Sequence, residues 1–226
     1  MDESDQILID QWLGMLRTRG AVDRVFDVGA NRGQFMKGFR KLAPQADIYS
    51  FEPAEEPFRD LQRSAMDDER WMTLNCALGT ENTVAQLHRN SDDVTSSMLR
   101  NSERIFDFAP ESMCTPMGEQ QIQVCRLDTF CTDNQIDRID ILKIDSQGFE
   151  RQILQGCGRF LRPAKIRGLF IEVLFVDLYQ GQAWCGSILE MLRTHGYGLF
   201  GFVDVAKDPR QGWKWADALF LPEAYR

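Results

Sequence analysis

The hydrophobic pattern of this chain alternates between helical and strand periods. Within residues 1–20, Ile9, Trp12, Leu13 and Leu16 recur on one face at helical spacing, which predicts an N-terminal helix packed on the body of the protein. A short apolar strand at 24–28 leads into a helix with Phe35, Phe39 and Leu42 on one side, ending before Pro44. A strand at 47–52, a helix from near Pro57 carrying Phe58, Leu61 and Ala65, and a strand at 71–78 complete three strand–helix repeats. Strands alternating with helices predict a parallel, doubly wound sheet in an α/β fold.

The pattern then changes. Residues 83–88 alternate as a short strand, whereas 92–120 is polar, with Pro110, Pro116 and Gly118 and little periodicity. That stretch reads as an excursion from the sheet, either a lid over an active site or a plain loop. Strands resume at 121–127 and 139–145, followed by a helix over 148–155 that stops at Gly156. The near-continuous apolar run 168–176 is what a strand deep in a parallel sheet looks like. Trp184, Ile188, Leu189 and Leu192 mark a helix ending near Gly196. Two last strands follow at 197–203 and 216–221, joined by a loop around Pro209 and Gly212. With no repeat, linker or low-complexity tract, the expectation is one domain over 1–226.

Composition narrows the class. The 226 residues, 43% hydrophobic and 27% charged, suffice for one sizeable globular core. A net charge of −8 without any Lys/Arg cluster argues against nucleic acid as a partner, because phosphate binding needs a basic face. The run 169–176 is short and holds Glu172, so no membrane span is expected. No signal-type apolar block follows the acidic start, which makes a cytoplasmic protein with reduced thiols the expectation. The six cysteines form no CxxC pair and only two histidines accompany them, so no zinc site is assigned.

Candidate chemistry concentrates in the first strand–turn–helix unit, Arg24-Val25-Phe26-Asp27-Val28-Gly29-Ala30-Asn31-Arg32-Gly33-Gln34-Phe35. In open α/β sheets ligands bind beyond the carboxyl ends of the strands, where strand order reverses. Glycines there let the backbone approach the ligand, and the helix N-terminus offers free N–H groups. The turn lacks the G-x-G-x-x-G spacing of a dinucleotide site. Asp27 at the strand end would repel a pyrophosphate but attract the ammonium and sulfonium of S-adenosylmethionine. Glu52, ending the next strand, can accept both ribose hydroxyls of either cofactor. Taken singly, Asp27 also reads as a turn cap and Glu52 as a solvated strand end.

These residues carry a resemblance. The chain resembles the FkbM family of S-adenosylmethionine-dependent methyltransferases in Val25-Phe26-Asp27-Val28-Gly29-Ala30-Asn31-Arg32-Gly33-Gln34, Phe51-Glu52-Pro53 and Asn75-Cys76-Ala77-Leu78-Gly79. It does so again in Ser96-Ser97, Leu127-Asp128, Leu142-Lys143-Ile144-Asp145-Ser146-Gln147-Gly148-Phe149-Glu150, Ile171-Glu172-Val173, Leu178-Tyr179 and Asp217-Ala218-Leu219-Phe220. The resemblance implies a class I methyltransferase (Rossmann-like) fold: a three-layer sandwich on a mostly parallel seven-stranded sheet with an antiparallel last strand. An N-terminal helix and an inserted hairpin or lid complete it. It implies S-adenosyl-L-methionine as cofactor and S-adenosyl-L-homocysteine as product. Asp27, Gly29, Asn31 and Gly33 would surround the methionine end, with Ala30 and Gln34 in the same turn. Glu52, beside Pro53, would hold the ribose. Cys76 and Ala77 would lie near the adenine, and Asp145 would border the transferable methyl.

Two carboxylates are candidates for catalysis. Asp145, ending the strand beside the first, reads as the base or acceptor-positioning group, or as the N-cap of the helix at 147–155. Glu172 interrupts an apolar strand, where a carboxylate is costly unless paired. It reads as a second acceptor contact or a base with raised pKa, or as a buried partner for a basic residue such as Lys143. Lys143 and Glu150 read first as an ion pair or helix-packing contacts, His195 as a helix cap and His88 as a weaker base. Trp213 and Trp215 read as packing, or as lining for the acceptor. Asp145, Glu172 and Asp217 could gather on Mg²⁺, but nothing in their spacing demands it, so no metal is assigned.

The expected function is O-methyl transfer to a sugar hydroxyl, in a glycan or glycoside, or to a natural product. Partners are then a small-molecule or saccharide acceptor, with neither nucleic acid nor membrane. Two alternatives stay open: an NAD-dependent oxidoreductase or epimerase, and a catalytically silent cofactor-binding module.

Overall fold

Helix α1 (Glu3–Arg17) starts where Asp2 and Asp5 cap one another, each side chain accepting the other's backbone N–H at 3.0 and 3.1 Å. The computed structural model describes residues 2–209 and 212–225. Three strand–helix units follow α1: β1 (Arg24–Val28), α2 (Gln34–Phe39), β2 (Asp47–Phe51), α3 (Glu55–Ala65) and β3 (Trp71–Leu74). Next come β4 (Ala77–Leu78) and β5 (Thr83–Asn90), then α4 (Ile105–Phe108), α5 (Glu111–Cys114) and the start of β6 (Pro116–Cys125) inside the 92–120 excursion. The chain then runs through α6 (Leu127–Asp133), β7 (Ile141–Ile144), α7 (Glu150–Gly156), β8 (Leu169–Leu174), α8 (Cys185–Thr194), β9 (Tyr197–Asp208) and β10 (Gly212–Pro222).

The main sheet has the order β3-β2-β1-β7-β8-β10-β9. Its first five strands are parallel, and β10 runs antiparallel between β8 and β9. This is the class I methyltransferase arrangement expected from the resemblance. The three layers follow from strand alternation. Phe26, Val28, Ile171 and Phe220 point into one core with α6, α7 and α8; Val25, Phe170 and Leu219 point into the other with α1, α2 and α3. All four predicted face residues of α1 are buried, and the Trp12 indole N–H donates to Phe220 O at 3.0 Å.

Several boundaries differ from the sequence expectation. The run 71–78 is two strands. The Asn75 amide donates to Glu52 O at 2.9 Å, taking a carbonyl on the β2 side and closing the ladder at Leu74. Ala77 and Leu78 then pair with Val124 and Cys125 in a second sheet, β4-β6-β5. Strand β6 begins at Pro116, inside the stretch expected to be irregular: its first residues are exposed and show no alternation, although they pair with β5 across one register shift. Strands β9 and β10 run longer than expected. In the loop expected around Pro209 and Gly212, residues 210 and 211 lie outside the described residues.

Strand order reverses at β1, whose neighbours are β2 and β7. The crevice beyond the carboxyl ends of β1 and β7 is therefore the place for a ligand.

Candidate active site

A cleft opens at that crevice. One wall is apolar, built from Phe51, Leu78, Phe149 and Ile153, which pack in a single cluster. Another is polar, from Asn31, Gln34, Lys143, Asp145 and Gln147, and residues 93–98 lie across the opening. Of the residues expected on the cofactor, Gly29, Ala30, Asn31, Gln34, Glu52, Pro53, Ala77 and Asp145 line this cleft, whereas Asp27, Gly33 and Cys76 do not; nor does the catalytic candidate Glu172.

The turn after β1 is shaped by left-handed backbone at Gly29 (φ 73), Asn31 (φ 48) and Gly33 (φ 81). Asparagine is among the few residues with a side chain that enter this region readily, and Asn31 Oδ1 accepts the next N–H, from Arg32, at 2.9 Å. Gly29 N and Ala30 N both donate to Phe51 O at 3.0 Å, pinning the turn to the end of β2. Gly33 serves packing: a Cβ there would come 3.0–3.1 Å from Leu61 and Trp71.

Glu52 ties the turn to the next helix. Its Oε2 accepts from Asn31 N and its Oε1 from Ala54 N, each at 2.8 Å. Burial pushes its carboxyl up to about 7, against the pull of those two donors and of Lys143. Each oxygen keeps a lone pair, so the group can also accept the two hydroxyls of a ribose.

Asp27 lies beneath the cleft floor. It faces α1–α3, is fully buried, and accepts from Ser50 Oγ at 3.2 Å; Ser50 in turn accepts the Trp71 indole N–H at 2.9 Å. Lys143 Nζ stands 3.2 Å from its Oδ1, 3.6 Å from Asp145 Oδ2 and 3.1 Å from Gly29 O. The direct attraction expected between Asp27 and a cationic cofactor is thus met from within by Lys143. Burial works against the Lys143 ammonium, but Asp27, Asp145 and Asp217 hold its pKa above the usual lysine value. Lys143 makes no ion pair with Glu150 or Glu172, contrary to the sequence readings.

Asp145 borders the cleft with its side chain 38% exposed. It does not cap α7, which has no side-chain cap; Glu150 instead holds the turn before the helix, its Oε1 accepting from Ser146 N, Ser146 Oγ and Gly148 N at 2.9–3.1 Å. Glu172 lies further back on β8, in register with Asp217 on β10. Burial, then Asp145, Glu150 and Asp217, push its carboxyl well above the usual range, against the pull of Lys143. Burial and Asp145 push Asp217 up to about 8.

The other candidates sit elsewhere. His88 pairs with Glu119 at 3.2 Å on the second sheet, outside the cleft. His195 Nδ1 lies 2.7 Å from Met191 O at the end of α8. Trp213 packs on Phe175 and Phe202, and Trp215 beneath Lys214. Cys76 is buried beside Cys125, and burial pushes its thiol up to about 12. Among the described residues no group of three His, Cys, Asp or Glu could hold a metal ion, and no helix is long and apolar enough to cross a membrane. Sequence reasoning passed over Gln147, Phe149 and Val94. The only signal for Gln147 was its place inside the run 142–150.

The raised carboxyls make a test of stability. Glu52 and Glu150 stand at about 7 and Asp217 at about 8, against 4.5 and 3.8 for free groups. Each binds more protons folded than unfolded, so its stabilisation is complete below the free value and is lost as pH rises through the folded value. At 1.36 kcal/mol per unit, Glu150 alone accounts for roughly 3 kcal/mol. Scanning calorimetry of the ligand-free protein should therefore give a melting temperature that falls steadily from pH 5 to pH 8.5. A melting temperature that rises over that window would show these carboxyls ionised in the fold.

The cleft thus joins one apolar wall to a rim of hydrogen-bonding and acidic groups from Asn31, Gln34, Glu52 and Asp145. The family model for the methyltransferase FkbM domain matches residues 27–199. The chain is 24% identical over 175 residues to the 2-O-methyltransferase NoeI of Sinorhizobium fredii (strain NBRC 101917 / NGR234), covering 74% of this chain and 70% of that protein. It is 29% identical over 194 residues to the 31-O-demethyl-FK506 methyltransferase FkbM of Streptomyces tacrolimicus, covering 77% and 72%. Among solved structures, an rRNA methylase from Streptococcus thermophilus covers 95% of both chains at a TM-score of 0.49 and 10% identity. The 1,6-didemethyltoxoflavin-N1-methyltransferase of Burkholderia thailandensis covers 96% of this chain and 79% of that one at 0.48 and 14%. The family match spans well over half of the sequence: the chain belongs to the FkbM methyltransferase family, with S-adenosylmethionine as its cofactor.

Proposed function

We propose that the protein is an O-methyltransferase acting on a hydroxyl of a sugar, in a glycan or glycoside, or of a natural product. It would work as one domain, with the 92–120 excursion as lid. The observation that carries this reading is Asp145: a carboxylate at the cleft edge, held by Gln147 and Lys143 and backed by the buried acid Glu172. Two relatives whose names specify O-methylation support the choice of oxygen. The net charge of −8 and the acidic cleft edge support a small-molecule or saccharide acceptor over nucleic acid. The dinucleotide alternative falls with the family match.

S-adenosylmethionine, when bound, supplies a methyl group on a positive sulfur that leaves as a neutral thioether. The protein's tasks are to align the acceptor oxygen and to manage its proton. Glu52 would hold the ribose, Asn31 and Gln34 the charged end, and the Phe51–Phe149 wall the base, which leaves Asp145 facing the acceptor. As the oxygen's electron pair forms the new C–O bond, the O–H bond breaks and its proton passes to Asp145. Alignment can be worth on the order of 7–11 kcal/mol, and a positioned base adds roughly 10²–10⁴-fold.

Labelled S-adenosylmethionine incubated with saccharides and glycosylated metabolites should mark one acceptor through an ether-linked methyl group. Asp145→Asn should then lower kcat by about 10²-fold or more while leaving S-adenosylhomocysteine binding intact. Label carried on nitrogen or carbon would refute the O-methyl reading, and unchanged turnover would remove Asp145 as the base.

A further inference from the structure

The geometry points to Gln147 as a positioning residue for methyl transfer, one that fixes Asp145 and Glu172 relative to each other and ties both to the segment over the cleft. The inference rests on the role proposed above for Asp145.

Gln147 stands just beyond β7 with φ 56, in the left-handed region that residues with a side chain seldom enter. Surrounding bonds hold it there. Ser97 Oγ donates to its backbone carbonyl at 2.7 Å, and the following residue, Gly148, accepts from Ala183 N at 3.3 Å. This backbone aims the carboxamide back over the strand ends. Its Nε2 donates to Asp145 Oδ1 at 3.0 Å and to Glu172 Oε2 at 2.8 Å. Its Oε1 accepts from the Tyr179 hydroxyl at 2.8 Å, which also lies 3.0 Å from Thr95 O. The amide orientation follows from the partners: turned over, its oxygen would face the Asp145 carboxylate.

Two consequences follow for the reaction. Asp145 has Gln147 on Oδ1 and Lys143 on Oδ2, so its carboxylate plane is fixed and its remaining lone pairs face the cleft. Gln147 also spans the gap between Asp145 and the buried Glu172 without adding a charge. The charged and titratable groups around Glu172 are Lys143 on β7, Asp145 just past its end, Glu150 on α7, Asp217 on β10 and Tyr179. A further carboxyl at position 147 would crowd a site where Lys143 is the one opposing charge among them. The same residue is tied to residues 95–97 twice, its backbone carbonyl through Ser97 and its side chain through the Tyr179 hydroxyl, which also reaches Thr95 O. Gln147 donates and accepts hydrogen bonds but exchanges no proton, so its action is through Asp145.

Two near-isosteric variants test this without emptying the site. Gln147→Glu keeps the shape and replaces a donor by an acceptor. Gln147→Asn suits left-handed backbone but is one methylene too short to reach both acids. With the acceptor found in the labelling screen, each should lose about 10- to 100-fold in kcat. The acceptor KM and S-adenosylhomocysteine affinity should stay within about threefold, the pattern of an interaction used in the transition state. Side-chain amide NMR of the S-adenosylhomocysteine complex should show Gln147 Nε2 protons protected from exchange, with protection lost in Asp145→Ala. Wild-type kcat in either variant, or an amide exchanging like a free glutamine's, overturns the proposal. If no hydroxyl acceptor is turned over, the O-methyl reading fails, and amide exchange alone decides whether Gln147 holds the two acids.

Discussion

Gly29→Ala should destroy the site and most of the stability with it. A Cβ at Gly29 would stand 1.7 Å from the carbonyl oxygen of Asp145 and 2.9 Å from its carbonyl carbon. Both are backbone atoms of the neighbouring strand end, and neither has room to yield. Asp145 N is bonded to Val28 O at 3.0 Å, and Gly29 N to Phe51 O at 3.0 Å. The positive φ of 73° adds the ordinary penalty for a side chain in left-handed backbone. To admit a methyl group, β1 and β7 must part where the cofactor turn meets the proposed base. A loss above about 4 kcal/mol is the scale for such a clash in a core that cannot rearrange. Urea unfolding of Gly29→Ala should show it, or the variant should fail to accumulate as folded protein. Gly38→Ala is the matched control: nothing lies within 4 Å of its Cβ, and it sits inside α2. That change should be neutral or stabilising by up to about 1 kcal/mol. Equal stability of the two variants would contradict the geometry at Gly29.

Glu52→Ala should abolish measurable cofactor binding under conditions where the wild type saturates. The substitution removes the acceptor for Asn31 N and Ala54 N and, on the proposed placement, for both ribose hydroxyls. Hydrogen bonds to a charged group are worth about 1.5–3 kcal/mol each. Losing two ribose contacts alone therefore weakens binding by on the order of 10²-fold or more. Calorimetry with S-adenosylhomocysteine measures this directly. The same experiment has a pH dependence. Burial sets the Glu52 carboxyl at about 7, and only the ionised form accepts from both hydroxyls. Affinity should be flat above that pH and fall by about tenfold for each unit below it. In Glu52→Gln the acid limb should vanish. If the limb persists there, another group titrates and Glu52 does not hold the ribose.

Legibility in the sequence tracked the range of the interactions that decide each feature. Strands β1, β7 and β8 are buried on both faces and read as apolar runs, and α1 shows its buried stripe at helical spacing. The division of 71–78 into β3 and β4 depends on pairing with residues 124 and 125, which no local period reports. The outer half of β6 is polar on both faces and so resembled a loop. Helix α6 buries only Leu127 and Cys131, too few to show a stripe. In the site, the turn after β1 and Glu52 stood out because glycine and acid at strand ends are rare and chemically pointed. Asp27 was expected at the cofactor because a strand's last residues do not show which face they take; its ladder partner Lys143 on the adjacent strand β7 is too far along the sequence to be seen from it. Gln147 carries no charge, and apart from Asp145 its partners come from 97, 172 and 179, so its place in the network is not visible locally.

The antiparallel strand β10 sets the order in which this protein can be made. It slots between β8 and β9, so the sheet remains in two pieces until residues 212–222 have left the ribosome. Residues 218–221 alternate between the two cores, and the arrival of one strand therefore closes both faces at once. The Trp12 indole waits across a separation of 208 residues for its carbonyl partner on Phe220. At about 5–20 residues per second, that wait lasts roughly 10–40 s, and the edge of β8 stands unpaired for about the last 2–10 s of it. A nascent chain of this topology has more need of holding chaperones than its size suggests, and slowing translation late in the message lengthens the vulnerable interval without changing the finished fold.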